Sequence, residues 1–171
     1  MPVFQAYQTI DWRSFMVAIQ IRGTSGSGKT WIIKKLMNEY KFTPVIVNEK
    51  IFGYKSKQLN VFIPGRYETA CGGCDTIKTQ DEICRRVKLG IKNGYSVLFE
   101  GLLSSHLAER FFKLYSELNE SNVDSYFIFL NTPLSTCEEN INKRRLEAGK
   151  SPKKAKTVES HYHSTKSLEK T

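Results

Sequence analysis

Gly23-Thr24-Ser25-Gly26-Ser27-Gly28-Lys29-Thr30 fits G-x-x-x-x-G-K-[ST] at every position. Glycines at 23, 26 and 28 let the main chain fold tightly enough for successive N–H groups to point at phosphate oxygens. A helix starting at the end of such a loop adds the positive end of its dipole. Lys29 can then reach β- and γ-phosphates, and the Thr30 hydroxyl can ligand magnesium. Phosphoryl transfer further needs an acid near the metal and positive charge over the migrating group. Glu100 meets the first need: it follows the apolar run Tyr95-Ser96-Val97-Leu98-Phe99, and ligand crevices of open α/β sheets lie at the carboxyl ends of strands. There it can hold a magnesium-bound water or accept a proton. Lys143, Arg144 and Arg145 meet the second need if they close over a nucleotide; the alternative is that they only complement the dipole of the helix they end.

A second unusual segment runs from Gly65-Arg66-Tyr67 to Cys71-Gly72-Gly73-Cys74-Asp75-Thr76-Ile77. A loop of this composition, with Gly72 and Gly73 paired, can approach a ligand with its backbone. Asp75 is a candidate general base for an acceptor hydroxyl, or else a cap for the following helix, and Arg66 is a candidate for a substrate phosphate. The Cys71/Cys74 spacing suggests zinc, but a structural site needs four ligands and Cys84 and Cys137 supply no second pair. A thioredoxin-like role lacks its strand and helix context. His106, His161 and His163 form no metal spacing, and Tyr7, Trp12, Phe52 and Tyr54 serve packing or base stacking.

The elements needed to position these groups alternate along the chain. Phe15–Ile21 reads as a buried strand, and Ile32, Ile33, Leu36, Met37 and Tyr40 give a helical stripe after the loop. Pro44–Val47 reads as a second strand, and Ile51–Ile63 as a hairpin or irregular insertion ending at Pro64-Gly65. Thr79–Glu82 has capping-box spacing ahead of Ile83, Val87 and Ile91. Tyr95–Phe99 is the third strand, followed by a helix with Leu107, Phe111, Leu114, Tyr115 and Leu118 on one face. Ser125–Leu130 is the fourth, and Thr132-Pro133 reads as the N-cap and first turn of a helix through Arg145. Strands alternating with helices imply right-handed crossovers and a mainly parallel sheet covered on both faces.

The chain has 171 residues, 26 Lys and Arg against 17 Asp and Glu, and a net charge of +9, which favours polyanionic partners such as nucleotides or nucleic acid. Nine of those cations and three of the acids fall in Lys143–Thr171. The expected organisation is a leader at 1–15, with Met16 available as an alternative start, a nucleotide-binding domain at 16–150 and a basic helical tail at 151–171. No apolar run approaches about 18 residues, so no membrane span is expected. The N-terminus has no secretory pattern, which points to the cytoplasm and to reduced thiols.

The loop Gly23–Thr30, the strand end Leu98-Phe99-Glu100-Gly101, and Phe129–Leu134 with Cys137 and Arg144-Arg145 resemble the small P-loop kinases, among them nucleoside monophosphate kinases and polynucleotide kinases. The resemblance implies a three-layer P-loop NTPase fold with strand order 2-3-1-4-5, ATP with magnesium, and a mobile basic lid matched by Lys143, Arg144 and Arg145. The Gly65-Arg66-Tyr67 and Cys71–Ile77 pieces are similar to phage kinases that phosphorylate 5-hydroxymethyl-deoxyuridine in DNA. On that similarity the acceptor is a primary hydroxyl on a DNA base, with Asp75 and the paired glycines beside it. After Thr157 only one amphipathic stretch follows, so no fifth core strand is expected. The resulting expectation is a magnesium- and ATP-dependent kinase acting on 5-hydroxymethyl-deoxyuridine in DNA. A kinase acting on free deoxynucleoside monophosphates or polynucleotide ends, and a nucleotide- or DNA-binding module without transfer activity, are the alternatives.

Overall fold

The computed structural model describes residues 15–69, 72–101, 108–152 and 155–169. Strands β1 (Val17–Arg22), β2 (Thr43–Val47), β3 (Lys50–Ser56), β4 (Val61–Pro64), β5 (Ser96–Glu100) and β6 (Asp124–Phe129) form one sheet in the order β2-β3-β4-β5-β1-β6. The helices are α1 (Lys29–Glu39), α2 (Gln80–Lys92), α3 (Ala108–Glu120), α4 (Leu134–Glu147) and α5 (Ala155–Glu169), with a short 3-10 turn at Cys74–Thr76. The architecture is α/β: a mixed six-stranded sheet flanked by helices.

Three ladders, β4 with β5, β5 with β1 and β1 with β6, are parallel, whereas β2 with β3 and β3 with β4 are antiparallel. The expected strand order is thereby corrected. Pro44–Val47 does not lie beside the third strand of the sequence reading; β4 takes that place, and β2 stands at the sheet edge. Two hairpins account for the difference. Asn48 and Glu49 both have positive φ, which suits the twist of a two-residue turn between antiparallel strands and returns β3 along β2. Pro44 has no N–H to donate, and an edge position tolerates that loss. The Ile51–Ile63 stretch is indeed a hairpin, and its second arm is the parallel partner of β5.

Strand alternation divides the core. Ala18, Phe62, Val97 and Phe99 face α2 and α3, where Ile83, Val87, Phe111 and Leu114 bury them. Ile21, Ile63 and Leu98 face the other way, onto Ile33, Leu36 and Met37 of α1. Because parity is fixed, Glu100 shares the α1 side with Leu98, which brings it to Thr30. A buried polar group sits within the other layer: Gln20 Oε1 accepts from Arg22 Nε at 2.9 Å and from the Tyr115 hydroxyl at 2.5 Å, while the Arg22 guanidinium lies 4.4 Å from the Phe127 ring centroid.

Helix ends follow their sequence signals with one exception. The Thr79 hydroxyl accepts from Glu82 N–H at 3.2 Å, as its capping-box spacing predicts. At α4 the cap is Pro133, and the Thr132 hydroxyl donates to Ser27 O at 2.9 Å instead, so a residue read as a helix cap ties α4 to the glycine loop. The tail beyond residue 150 is helical in α5 and packs on α4, where Val158 joins Cys137 and Ile141 in a small separate core.

Candidate functional site

The carboxyl ends of the parallel strands converge on the glycine loop. Ile21 of β1 is level with Glu100 of β5, and Arg22 with Phe129 of β6, so the loop leaves β1 between two strand ends. Gly28 is the N-cap of α1, hence Lys29 and Thr30 are its first two residues and the loop N–H groups stand at its positive pole. Helix α4 holds the loop from the other side. Asn140 Nδ2 donates to Gly26 O at 2.9 Å, and the approach is close enough that a Cβ on Gly26 would lie 2.3 Å from Cys137 O.

Lys29 is 6% exposed and donates from Nζ to Gly23 O at 2.7 Å and Thr24 O at 2.8 Å. An ammonium has three N–H groups, and among the described residues these two bonds account for two of them. Burial lowers the Lys29 pKa, while Glu100 and Asp75 act in the opposite direction to keep the ammonium charged. The Thr24 and Ser27 hydroxyls are also buried, with no hydrogen-bond partner among the described residues. Orphaned donors of this kind beside a ring of main-chain N–H groups suit an anion rich in oxygen.

Thr30 Oγ1 donates to Glu100 Oε1 at 3.0 Å. Burial pushes the Glu100 carboxyl up to about 7 against the pull of Lys29. One hydroxyl and one carboxylate are hard oxygen donors, and they suit Mg²⁺, which keeps several waters and binds through one or two carboxylates plus phosphates. No cluster of three or more His, Cys, Asp or Glu side chains that could cage a metal occurs among the described residues. Of the Cys71/Cys74 pair, the described Cys74 is 2% exposed, and burial holds its thiol well above the usual range. Cys71 lies outside the described residues.

The described parts of the Gly65–Ile77 segment, 65–69 and 72–77, pack beside Glu100. Arg66 and Gly73 pair as an isolated antiparallel bridge, with Gly73 N–H donating to Arg66 O at 2.9 Å. Gly73 has φ +67°, and a Cβ there would lie 2.4 Å from Glu100 Oε1 and 2.8 Å from the Tyr67 hydroxyl oxygen. The chain therefore passes so near the carboxylate that no side chain fits. Gly72 is similarly enclosed by Tyr67, Arg66 and Thr30. Immediately afterwards the 3-10 turn exposes Asp75. Thr79, four residues further on, caps α2, so the capping alternative for Asp75 does not hold for that helix.

A cavity of about 690 Å³ gathers these parts: Ser25–Thr30, Asp75, Glu100 and Arg144 line it, with Trp31, Lys34, Asn140 and Glu147. Gly23 and Thr24 lie just behind, their carbonyls on Lys29. Of the basic trio, Arg144 alone faces the cavity. Asn140, Arg144 and Glu147 are spaced i, i+4, i+7 on one face of α4, which turns Arg145 away; Lys143, at the edge of that face, is exposed and does not line the cavity. Arg145 Nε donates to Ser151 O at 2.6 Å and anchors the chain after α4. Arg66, Gly72 and Gly73, expected on the substrate side, do not line this cavity; Gly73 lies against Glu100, Gly72 against Tyr67 and Thr30, and the Arg66 side chain is exposed. Trp31, Lys34 and Asn140 belong to no motif of the sequence, although Trp31 stands off the apolar stripe of α1 and Asn140 precedes Arg144 by one turn.

The glycine loop at the start of α1, the buried Lys29, the Thr30–Glu100 pair, Arg144 and the exposed Asp75 thus meet on one cavity, and comparison with known proteins shows the class to be that of the kinases. The same comparison specifies which kind. The profile of a family described as 5-hmdU DNA kinase matches residues 13–170. A 5-hmdU DNA kinase of Pseudomonas phage PaMx11 is 42% identical over 134 residues, covering 74% of this chain and 68% of that protein. Another, of Bacillus phage SP10, is 28% identical over 149 residues, covering 85% of this chain and 23% of that longer protein. The chain belongs to the 5-hmdU DNA kinase family.

Proposed function

We propose that this chain, with a P-loop NTPase fold, transfers the γ-phosphoryl group of ATP to the 5-hydroxymethyl oxygen of 5-hydroxymethyl-deoxyuridine in DNA. The observation that carries the reading is the joint lining of one cavity by Ser25–Thr30 of the glycine loop, Glu100 and Asp75. The names of the related phage kinases specify the acceptor. Loop N–H groups, Lys29 and the Ser27 hydroxyl bind the β- and γ-phosphates. Thr30 and Glu100 hold magnesium, which when bound neutralises charge on the phosphate oxygens. Asp75 orients the acceptor hydroxyl and accepts its proton as the oxygen attacks the γ-phosphorus in line. The bond from γ-phosphorus to the bridging oxygen breaks and ADP leaves. Arg144 stabilises the charge spread over the migrating group, the main catalytic resource in this chemistry. Arg66, on the rim segment, meets a DNA phosphate, and the chain's excess positive charge follows the DNA backbone.

The test is transfer of label from γ-labelled ATP with magnesium to 5-hydroxymethyl-deoxyuridine DNA, unmodified DNA and deoxynucleoside monophosphates in parallel. Label on the modified DNA alone is expected. Label on free nucleotides, or on none of the three, overturns the acceptor assignment. A DNA acceptor also predicts steep inhibition by salt, because neutralised phosphates release counterions; a small nucleotide does not.

A further inference from the structure

The first turn of α1 carries an aromatic side chain that the core does not use. Ile33, Leu36 and Met37 supply the buried stripe, whereas Trp31 is 64% exposed. It lines the same cavity as Thr30, Lys34 and Asp75. Leaving an indole in water forgoes one of the largest burial gains any side chain offers. Lys34 and Lys35 are its i+3 and i+4 neighbours on the helix surface. The Lys35 ammonium lies 5.3 Å from the indole ring centroid, and its 3.9 Å pairing with Glu39 is exposed and holds it weakly. Lys34 Nζ donates to Thr69 O at 2.9 Å, which keeps its charge beside the Gly65–Ile77 segment.

An exposed indole with one ammonium over its ring and a second lysine at i+3 is the chemistry that holds unpaired nucleic acid: a base stacks on the indole's other face and phosphates meet the cations. We propose that Trp31 is the stacking platform for the acceptor pyrimidine, with Lys34 and Lys35 taking the phosphates that flank it. This rests on the DNA-kinase reading above. A pyrimidine stacked there presents its 5-substituent to the cavity that Asp75 shares with the glycine loop. A base in a duplex must leave its stack to arrive, so single-stranded DNA is the better acceptor.

Steady-state kinetics of Trp31→Ala and Trp31→Phe, with a single-stranded oligonucleotide carrying one 5-hydroxymethyl-deoxyuridine, test the proposal. Trp31→Ala is expected to raise KM for the oligonucleotide about 5- to 150-fold and leave KM for ATP unchanged. Trp31→Phe recovers most of the loss. Lys34→Ala with Lys35→Ala lowers the slope of log affinity against log salt by about 1.4, the value for two phosphates on a single strand. In a Trp12→Phe background, which leaves Trp31 as the one tryptophan, the oligonucleotide quenches the fluorescence. An unchanged KM for DNA in Trp31→Ala, an increase in KM for ATP instead, or fluorescence that does not respond to the oligonucleotide would overturn it. Failure of the DNA-kinase reading is separate, because the wild-type enzyme would then label no modified DNA at all.

Discussion

Gly73→Ala tests whether the Gly65–Ile77 segment works by its closeness to Glu100. Two costs are built into the position. The first is conformational: at φ +67° an L-residue pays about 1–3 kcal/mol of backbone strain. The second is steric, because the new Cβ would meet Glu100 Oε1 at 2.4 Å, Glu100 O at 2.7 Å and the Tyr67 hydroxyl oxygen at 2.8 Å. Overpacking of this kind costs about 1–3 kcal/mol more. Gly94 is the internal control: its φ is +81°, but nothing lies within 4 Å of its Cβ position, so Gly94→Ala bears strain alone. For a domain of this size each kcal/mol moves Tm by about 2–4 °C. Gly94→Ala should therefore lose about 2–12 °C and Gly73→Ala about 4–24 °C, read by calorimetry at pH 7. Only Gly73→Ala should lower kcat, because its methyl group displaces the carboxylate that accepts from Thr30. Equal Tm losses in the two variants, with kcat unchanged in both, would refute the argument.

Lys29→Ala should leave a folded protein but abolish detectable label transfer, a loss of at least about 100-fold since a preorganised charge is removed from the reacting phosphates. Arg144→Ala is expected to lower kcat by about 100-fold or more, whereas Arg145→Ala, whose guanidinium faces the Ser151 carbonyl, should cost less than about tenfold; equal effects in a kcat assay would deny the helical phase of α4 its role. Val158→Ala removes two buried methyl groups from the Cys137–Ile141 cluster and should destabilise by about 2 kcal/mol in a urea titration, with KM for ATP rising because α4 supports the loop. The Arg85 and Arg86 guanidiniums hold the Glu82 carboxyl down to about 2. A depressed carboxyl stabilises the fold above its ordinary range and loses that contribution as pH falls from about 4.5 to about 2. Glu82→Gln should thus melt lower at pH 7, and the gap to wild type should close as thermal scans are repeated toward pH 2.

Much of the site is legible from residue order because its chemistry is local. The Gly23–Thr30 loop is built from consecutive residues whose torsions and N–H directions depend on the glycines among them, and the strand before it and helix after it follow from short-range patterning. Glu100 is legible for a related reason: alternation and strand polarity bring the last residue of a buried strand to the crevice. The strand order is less so. Pro44–Val47 has the composition of a strand, but composition carries no record of which strand lies beside it, and the turn at Asn48-Glu49 decides that β4 rather than β2 pairs with β5.

Helical phase is the other decision that residue order leaves open. Lys143, Arg144 and Arg145 are equivalent as a run of charge, and only the seating of α4 on the loop, through Asn140 and Thr132, turns Arg144 inward. The paired glycines have the same history: their freedom is visible in the sequence, but the reason for it at Gly73 is Glu100, a residue far along the chain that approaches it only in the folded sheet, and at Gly72 it is Tyr67, Arg66 and Thr30. Trp31 was the counterpart on the acceptor side, an aromatic residue out of phase with its own helix. By itself, then, the sequence determines the glycine loop and its flanking strand and helix, because these are made by neighbours in the chain. Tertiary structure decides which acid, cation and aromatic ring surround it, because those groups are brought together only when β5, α4 and the Gly65–Ile77 segment close around the loop.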